Sequence, residues 1–202
     1  MKLWLVIPVK PFQESKSRLH PVLNSAERAA LSRRLLTGVL TTVMEFAKEP
    51  GVDMAGVLVI SRDRAVRRVA EAAGAVVIAE NGDDLNTALD EARRAVMRFD
   101  VDALLVLPSD LPLLAVDDLR ALYASAAQQP GLTIAPSRDG GTNALLLRPP
   151  DLIDFAFGPA SFQRHYQLAH TIGHPCHVVE TPNLAFDIDW PQDLEELFVL
   201  TQ

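Results

Sequence analysis

Residues 103–110 read ALLVLPSD. The apolar stretch to Pro108 is short for a helix and carries no polar face, so it fits a strand buried on both sides. Asp110 then stands where such a strand leaves its sheet. Five more runs share this character: LWLVIPV (3–9), GVLVIS (56–61), AVVIA (75–79), LTIAP (132–136) and ALLLR (144–148). Amphipathic stretches lie between them. Residues 25–48 place Leu31, Leu35, Val39 and Val43 four apart, and Asn24 with Glu27 offers a capping box at the start. Residues 84–99 repeat the pattern with Leu85, Leu89, Ala92, Val96 and Phe99. Alternating strands and helices predict a three-layer α/β fold with right-handed crossovers around a mostly parallel central sheet. The Gly- and Pro-rich pieces APSRDGGTN and RPPDLIDFAFGPAS run straight on into a strand and a helix. One domain over residues 1–202 is expected.

The chain has 202 residues, 49% of them hydrophobic, and a formal net charge of −7. No global basic field recruits nucleic acid, so an anionic ligand needs a local Lys/Arg cluster or metal ions. Cys176 is the single cysteine. It has no partner for an intramolecular disulfide and suits a reducing cytoplasm. The first apolar run is too short for a membrane span and lacks a signal-peptide cleavage region.

In an open α/β sheet, ligands collect beyond the carboxyl ends of the strands. Four segments should share that rim: KPFQESKSRL (10–19), PSDLPLL (108–114), the Gly140-Gly141-Thr142 turn and LAFDIDWPQDLEEL (184–197). In the last, Asp187 and Asp189 alternate with apolar residues and leave one face. Two such charges repel by about 4 kcal/mol at 4 Å with an effective dielectric of 20, which a cation between them relieves. Asp110 alone reads equally well as a turn residue of SDLP. Three convergent carboxylates ask for a divalent ion, and oxygen-only ligation points to magnesium rather than zinc.

The first loop carries Lys10, Lys16 and Arg18. They are either solvated or arranged for a triphosphate. Neither GxxxxGK[ST] nor GxGxxG is present. DGGTN (139–143) reads in isolation as a hairpin turn, although its glycines also let backbone amides approach an anion. FGPAS (157–161) opens a helix, with Ser161 expected as its N-cap. His170, His174 and His177 lie close in sequence, but without HExxH or a second cysteine they do not argue for zinc. Arg33–Arg34, Arg67–Arg68 and Arg93–Arg94 are expected on solvated helix faces. No GxSxG elbow is present.

Taken in order, IPVKPFQESKSRL, LPSDLPLL, APSRDGGTNALLLRPP, FGPASFQRH and FDIDWPQDL resemble the guanylyltransferases of coenzyme F-420 biosynthesis. That family uses phosphoenolpyruvate in bacteria and 2-phospho-L-lactate in archaea. The resemblance covers nearly the whole chain and is most specific from DGGTNALLL to FGPAS. It implies a Rossmann-like nucleotidyltransferase fold and a reaction of GTP with a phosphorylated three-carbon acid, releasing pyrophosphate. It further implies two magnesium ions on Asp110, Asp187 and Asp189, and the acid held at Thr142, Gly158 and Ser161. Leu85 and Asn86, in GDDLNTAL (82–89), would meet guanine or ribose. Lys10, Lys16 and Arg18 would hold the triphosphate, with Asp110, Lys16 and Lys10 carrying the catalysis. The nucleophile, a substrate phosphate oxygen, is already ionised and requires no general base, which suits the missing triad. Phosphoenolpyruvate is the favoured acid. 2-Phospho-L-lactate and 3-phosphoglycerate stay open, as do a DxD-type nucleotide-sugar glycosyltransferase, a non-catalytic nucleotide sensor and the oligomeric state.

Overall fold

The apolar runs become strands buried on both faces, in a computed structural model that describes residues 1–82 and 84–201. The elements in chain order are β1 (Lys2–Pro8), α1 (Ser25–Phe46), β2 (Asp53–Ile60), α2 (Arg64–Ala72), β3 (Val76–Ile78), α3 (Leu85–Val96) and β4 (Ala103–Val106). Then follow α4 (Val116–Gln128), β5 (Gly131–Pro136), β6 (Thr142–Arg148), α5 (Ser161–Thr171), β7 (Cys176–Val178), α6 (Pro182–Ala185) and α7 (Pro191–Leu200). The seven strands form one sheet in the order β3-β2-β1-β4-β6-β5-β7. All neighbours are parallel except β6, which runs antiparallel to both β4 and β5. The short turn between β5 and β6 allows nothing else, since a parallel return needs a long crossover.

Successive residues of β1 serve opposite layers. Leu3, Leu5 and Ile7 pack with Leu36, Val39, Leu40 and Val43 of α1, Val66 of α2 and Leu119 of α4. Trp4 and Val6 pack with Leu89, Ala92 and Val96 of α3 and Ala169 of α5. This is the three-layer α/β arrangement the sequence predicts, with helices on both faces of the sheet. At Gly56 the β1–β2 pairing leaves no room for a side chain, because an added Cβ would lie 2.6 Å from the Trp4 ring.

Both predicted helices form. Asn24 accepts from the backbone N–H of Ala26 and Glu27, and Glu27 accepts from the N–H of Asn24. The second begins at Leu85, capped by Asp84. The strand expected over 75–79 shrinks to an edge of three residues. β7 had no forecast, because Cys-His-Val carries no apolar run.

The β5–β6 ladder contains the irregularity that matters most. Ala135 pairs with Ala144 but Pro136 pairs with Thr142, so Asn143 is an extra residue in a β-bulge. A bulge interrupts the alternation of side chains. Thr142 therefore turns towards His165 of α5, while Asn143 reaches α6 and the segment beyond it.

Candidate active site

β1 and β4 are parallel neighbours, so both deliver their C-terminal loops to one rim. The loop after β4 carries Asp110, whose carbonyl accepts from the N–H of Ile188 at 3.3 Å. That bond docks residues 186–189 against the rim. The segment joins no ladder, contrary to the strand that its alternation suggests. Phe186 and Ile188 are nevertheless fully buried, against Leu19 and Leu35, so Asp187 and Asp189 point the other way. Arg138 braces the same segment, stacking 4.4 Å from the Phe186 ring centroid and binding Glu196 of α7 with both terminal nitrogens.

Asp110, Asp187 and Asp189 each bring a carboxylate oxygen to within 4.8 Å of the others. Among the described residues this is the one group of three His, Cys, Asp or Glu side chains so placed, and His170, His174 and His177 form none. Asp187 accepts a hydrogen bond from Asn143 Nδ2 at 3.1 Å. Burial pushes its carboxyl up to about 6 despite that bond, with Asp110 and Asp189 adding repulsion. Lys16 counters the cluster. Its backbone is left-handed at φ 55°, and its buried ammonium bonds Asp110 Oδ2 and, at 3.2 Å, Asp189 Oδ1. Burial lowers its pKa, but the two carboxylates outweigh burial and hold it above the usual lysine value. Arg18 donates to Asp189 Oδ2 at 2.7 Å and lies 4.9 Å from the Trp190 ring centroid. An all-oxygen donor set with two cations already leaning on it fits a hard divalent ion such as magnesium.

A cavity of about 420 Å³ opens beside the carboxylates, with Lys10, Lys16, Asp84, Leu85, Asp110 and Asp189 among its lining residues. Asn86 is elsewhere. Its Nδ2 donates to the Phe157 carbonyl at 3.2 Å and its Oδ1 accepts from the Phe157 N–H at 2.8 Å. The geometry makes Asn86 a strut between α3 and the 157 loop, with both ends of its amide engaged. Arg18 likewise reaches Asp189 and Trp190 rather than the cavity wall.

Thr142, Gly158 and Ser161 come together at the opposite flank of the bulge. The two hydroxyl oxygens are 3.0 Å apart, and the Ser161 N–H donates to the Gly158 carbonyl at 3.1 Å. Ser161 is not the N-cap. Ala160 takes that position at φ 54°, and Ser161 is the first residue of α5, its side chain bonded to Thr142 instead. These residues do not line the cavity; they join the carboxylates through Thr142, Asn143 and Asp187.

Sequence reasoning missed Asn143 and His165, since a bulge and a contact across 23 positions leave no local signature. Arg33, Arg34, Arg68 and Arg94 are exposed, as expected, but Arg67 and Arg93 are partly covered. Arg93 is largely covered, donating to the Ile153 carbonyl at 2.8 Å and stacking 4.6 Å from Phe155. Arg67 donates to the Ser61 carbonyl at 2.6 Å, and Arg33, though exposed, lies 5.2 Å from the Phe12 ring centroid. Guanidinium groups satisfy carbonyls and cover rings as readily as they face water.

The family model described as "Guanylyl transferase CofC like" matches residues 3–202. The chain is 42% identical over 198 residues to phosphoenolpyruvate guanylyltransferase of Rubrobacter xylanophilus, covering 98% of this chain and 94% of that protein. It is 34% identical over 201 residues to 3-phospho-D-glycerate guanylyltransferase of Colwellia psychrerythraea, covering 100% and 93%. In structure it resembles 4-diphosphocytidyl-2C-methyl-D-erythritol synthase of Anaerococcus prevotii, with a TM-score of 0.66 at 10% identity, covering 100% and 96%. That likeness speaks for the fold alone.

Proposed function

Because the chain belongs to the CofC-like guanylyl transferases, a family of nucleotidyltransferases, we propose that it transfers GMP from GTP to phosphoenolpyruvate in coenzyme F-420 biosynthesis. A phosphate oxygen of the acid attacks the α-phosphorus of GTP. The bond from that phosphorus to the bridging oxygen breaks, and pyrophosphate leaves with the electron pair. The observation that carries this reading is the meeting of three carboxylates with Lys16 and Arg18 at the mouth of the cavity.

In this mechanism Lys10 and Lys16 offset triphosphate charge, and Leu85 gives the base an apolar contact. Asp110, Asp187 and Asp189 would hold two magnesium ions, which when bound neutralise charge on the phosphates drawn together. Thr142, Gly158 and Ser161 hold the acid. The attacking oxygen is anionic at neutral pH, so positioning and electrostatics carry the rate. No helix among the described residues is long and apolar enough to cross a membrane, and we place the enzyme in the cytoplasm. The full-length family match speaks against the glycosyltransferase reading. The Colwellia relative keeps 3-phosphoglycerate as the second acid to test.

The test is pyrophosphate release from GTP and magnesium with each of phosphoenolpyruvate, 2-phospho-L-lactate and 3-phosphoglycerate, with mass spectrometry of the product. Phosphoenolpyruvate should give the highest kcat/KM. A higher value for another acid reassigns the substrate, and no release with any of the three rejects the reaction.

A further inference from the structure

We propose that His165 is a positioning residue that makes the Thr142–Ser161 hydroxyl pair a hydrogen-bond donor to an anionic oxygen of the acid substrate. The assignment of that anion rests on the guanylyltransferase reading; the hydrogen-bond polarity rests on geometry alone.

His165 is fully buried on α5. Its Nε2 faces the backbone N–H of Ala156 at 3.0 Å. A peptide nitrogen only donates, so Nε2 presents its lone pair. Burial, with the Arg164 charge next to it, pushes the imidazole down to about 4, and the ring is neutral at pH 7. Its one proton is then on Nδ1, which lies 3.2 Å from Thr142 Oγ1 and must donate to it. The Phe157 ring stands edge-on to the imidazole at 4.8 Å, and Asn86 holds the Phe157 backbone from both sides. The ring cannot turn over without breaking that set.

A count of hydrogens gives the consequence. Nδ1, Thr142 Oγ1 and Ser161 Oγ bring three hydrogens to two internal contacts, whichever way the hydroxyls rotate. One hydroxyl hydrogen is left over. Neither hydroxyl has a further partner among the described residues, so the spare hydrogen is available to a ligand. The opposite tautomer would bring two hydrogens to the same two contacts and leave lone pairs facing out, which repel a carboxylate or phosphate. The surroundings favour an anion as well. Gly158 has no side chain at φ 123°, and an added Cβ there would sit 3.1 Å from a terminal nitrogen of Arg164. Arg164 makes no ion pair among the described residues. A donor hydroxyl, an open glycine and a free guanidinium therefore stand together.

Two variants separate polarity from packing. His165→Asn sets an amide N–H where Nδ1 stands and keeps the donor to Thr142. His165→Gln carries an amide oxygen towards the Nε2 position, keeping the acceptor for Ala156 and losing the donor. In His165→Gln the hydroxyl pair still carries a spare hydrogen but nothing fixes which way it points, so the KM for the acid should rise about threefold or more. The KM for GTP should stay within about twofold in both variants, and His165→Asn, which loses the acceptor for Ala156 but keeps the donor, should raise the KM for the acid less than His165→Gln. Equal damage in the two variants, or equal shifts in both KM values, overturns the proposal. Nitrogen-15 imidazole spectra of the wild-type protein provide a reading that needs no variant. The Nδ1–H tautomer supports the assignment, and an Nε2–H ring overturns it. An Nδ1–H ring without turnover of any acid would reject the reaction and leave the polarity standing. Turnover with an Nε2–H ring would reject the role of His165 alone.

Discussion

At the scale of single residues, burial sets the charge states on which the site depends. The neutral His165 carries a cost at low pH. The unfolded chain binds a proton near pH 6.5, whereas the native ring resists it down to about 4, so the unfolded state holds more protons between those values. Stability therefore falls as pH drops through that window, by about 3 kcal/mol in full. Chemical denaturation at pH 7 and pH 4.5 should show a smaller loss in His165→Gln than in wild type, because that side chain does not titrate. A second prediction concerns the carboxylates. Asp110→Asn or Asp189→Asn should lower pyrophosphate release by at least about a hundredfold while circular dichroism and melting stay near wild type. Full activity in either removes that residue from the ion site. The aspartates were legible because Phe186 and Ile188 alternate with them and must be buried. Asn143 and His165 were not legible. A lone polar residue shows its role only once a bulge or a helix places its partner.

At the scale of elements, periodicity and caps were readable and irregularities were not. Asn24 and Glu27 announce the start of α1 three residues apart, and the structure forms both bonds. Asn24→Ala should cost about 1 kcal/mol in urea melts, the worth of a lost cap. Six of the seven strands followed from apolar runs, because a strand covered on both faces can be nothing else. β7 and the bulge at Asn143 arise from pairing across the sheet, which no local pattern records. The N-terminus of α3 shows the same limit. The resemblance of GDDLNTAL to the family's nucleotide-side loop implied that Asn86 meets the nucleotide, yet its amide spans 71 positions to Phe157. As a strut, Asn86→Ala should lose about 2 kcal/mol for two hydrogen bonds and raise the KM for the acid more than that for GTP. A larger rise for GTP would return Asn86 to the nucleotide.

At the scale of the whole molecule, the topology gathers like charge from distant parts of a chain whose net charge is already −7. Lys16 reaches Asp110 across 94 positions and Asp189 across 173. The sheet supplies the meeting point by placing β1 and β4 side by side, and the C-terminal segment closes over it through the Ile188–Asp110 backbone bond. Among the described residues, Lys16 and, at the rim, Arg18 are the cations that form ion pairs with this cluster, through Asp110 and Asp189. A divalent ion must share the oxygens that the ammonium now holds, so the two cations compete for one negative site. Lys16→Met removes the competitor while keeping an apolar stem. Without added metal the variant should melt below wild type, because three carboxylates within 4.8 Å lose their shielding. Magnesium or manganese should then raise its melting temperature by about 3 °C or more beyond the shift seen in wild type. Lys10→Met is the control, since Lys10 lines the same cavity without an ion pair among the described residues. Equal metal-induced shifts in the two variants would show that the ammonium and the ion do not contend for these oxygens. A larger shift in Lys16→Met alone would show that the fold keeps a lysine where the ion belongs until a triphosphate draws it away.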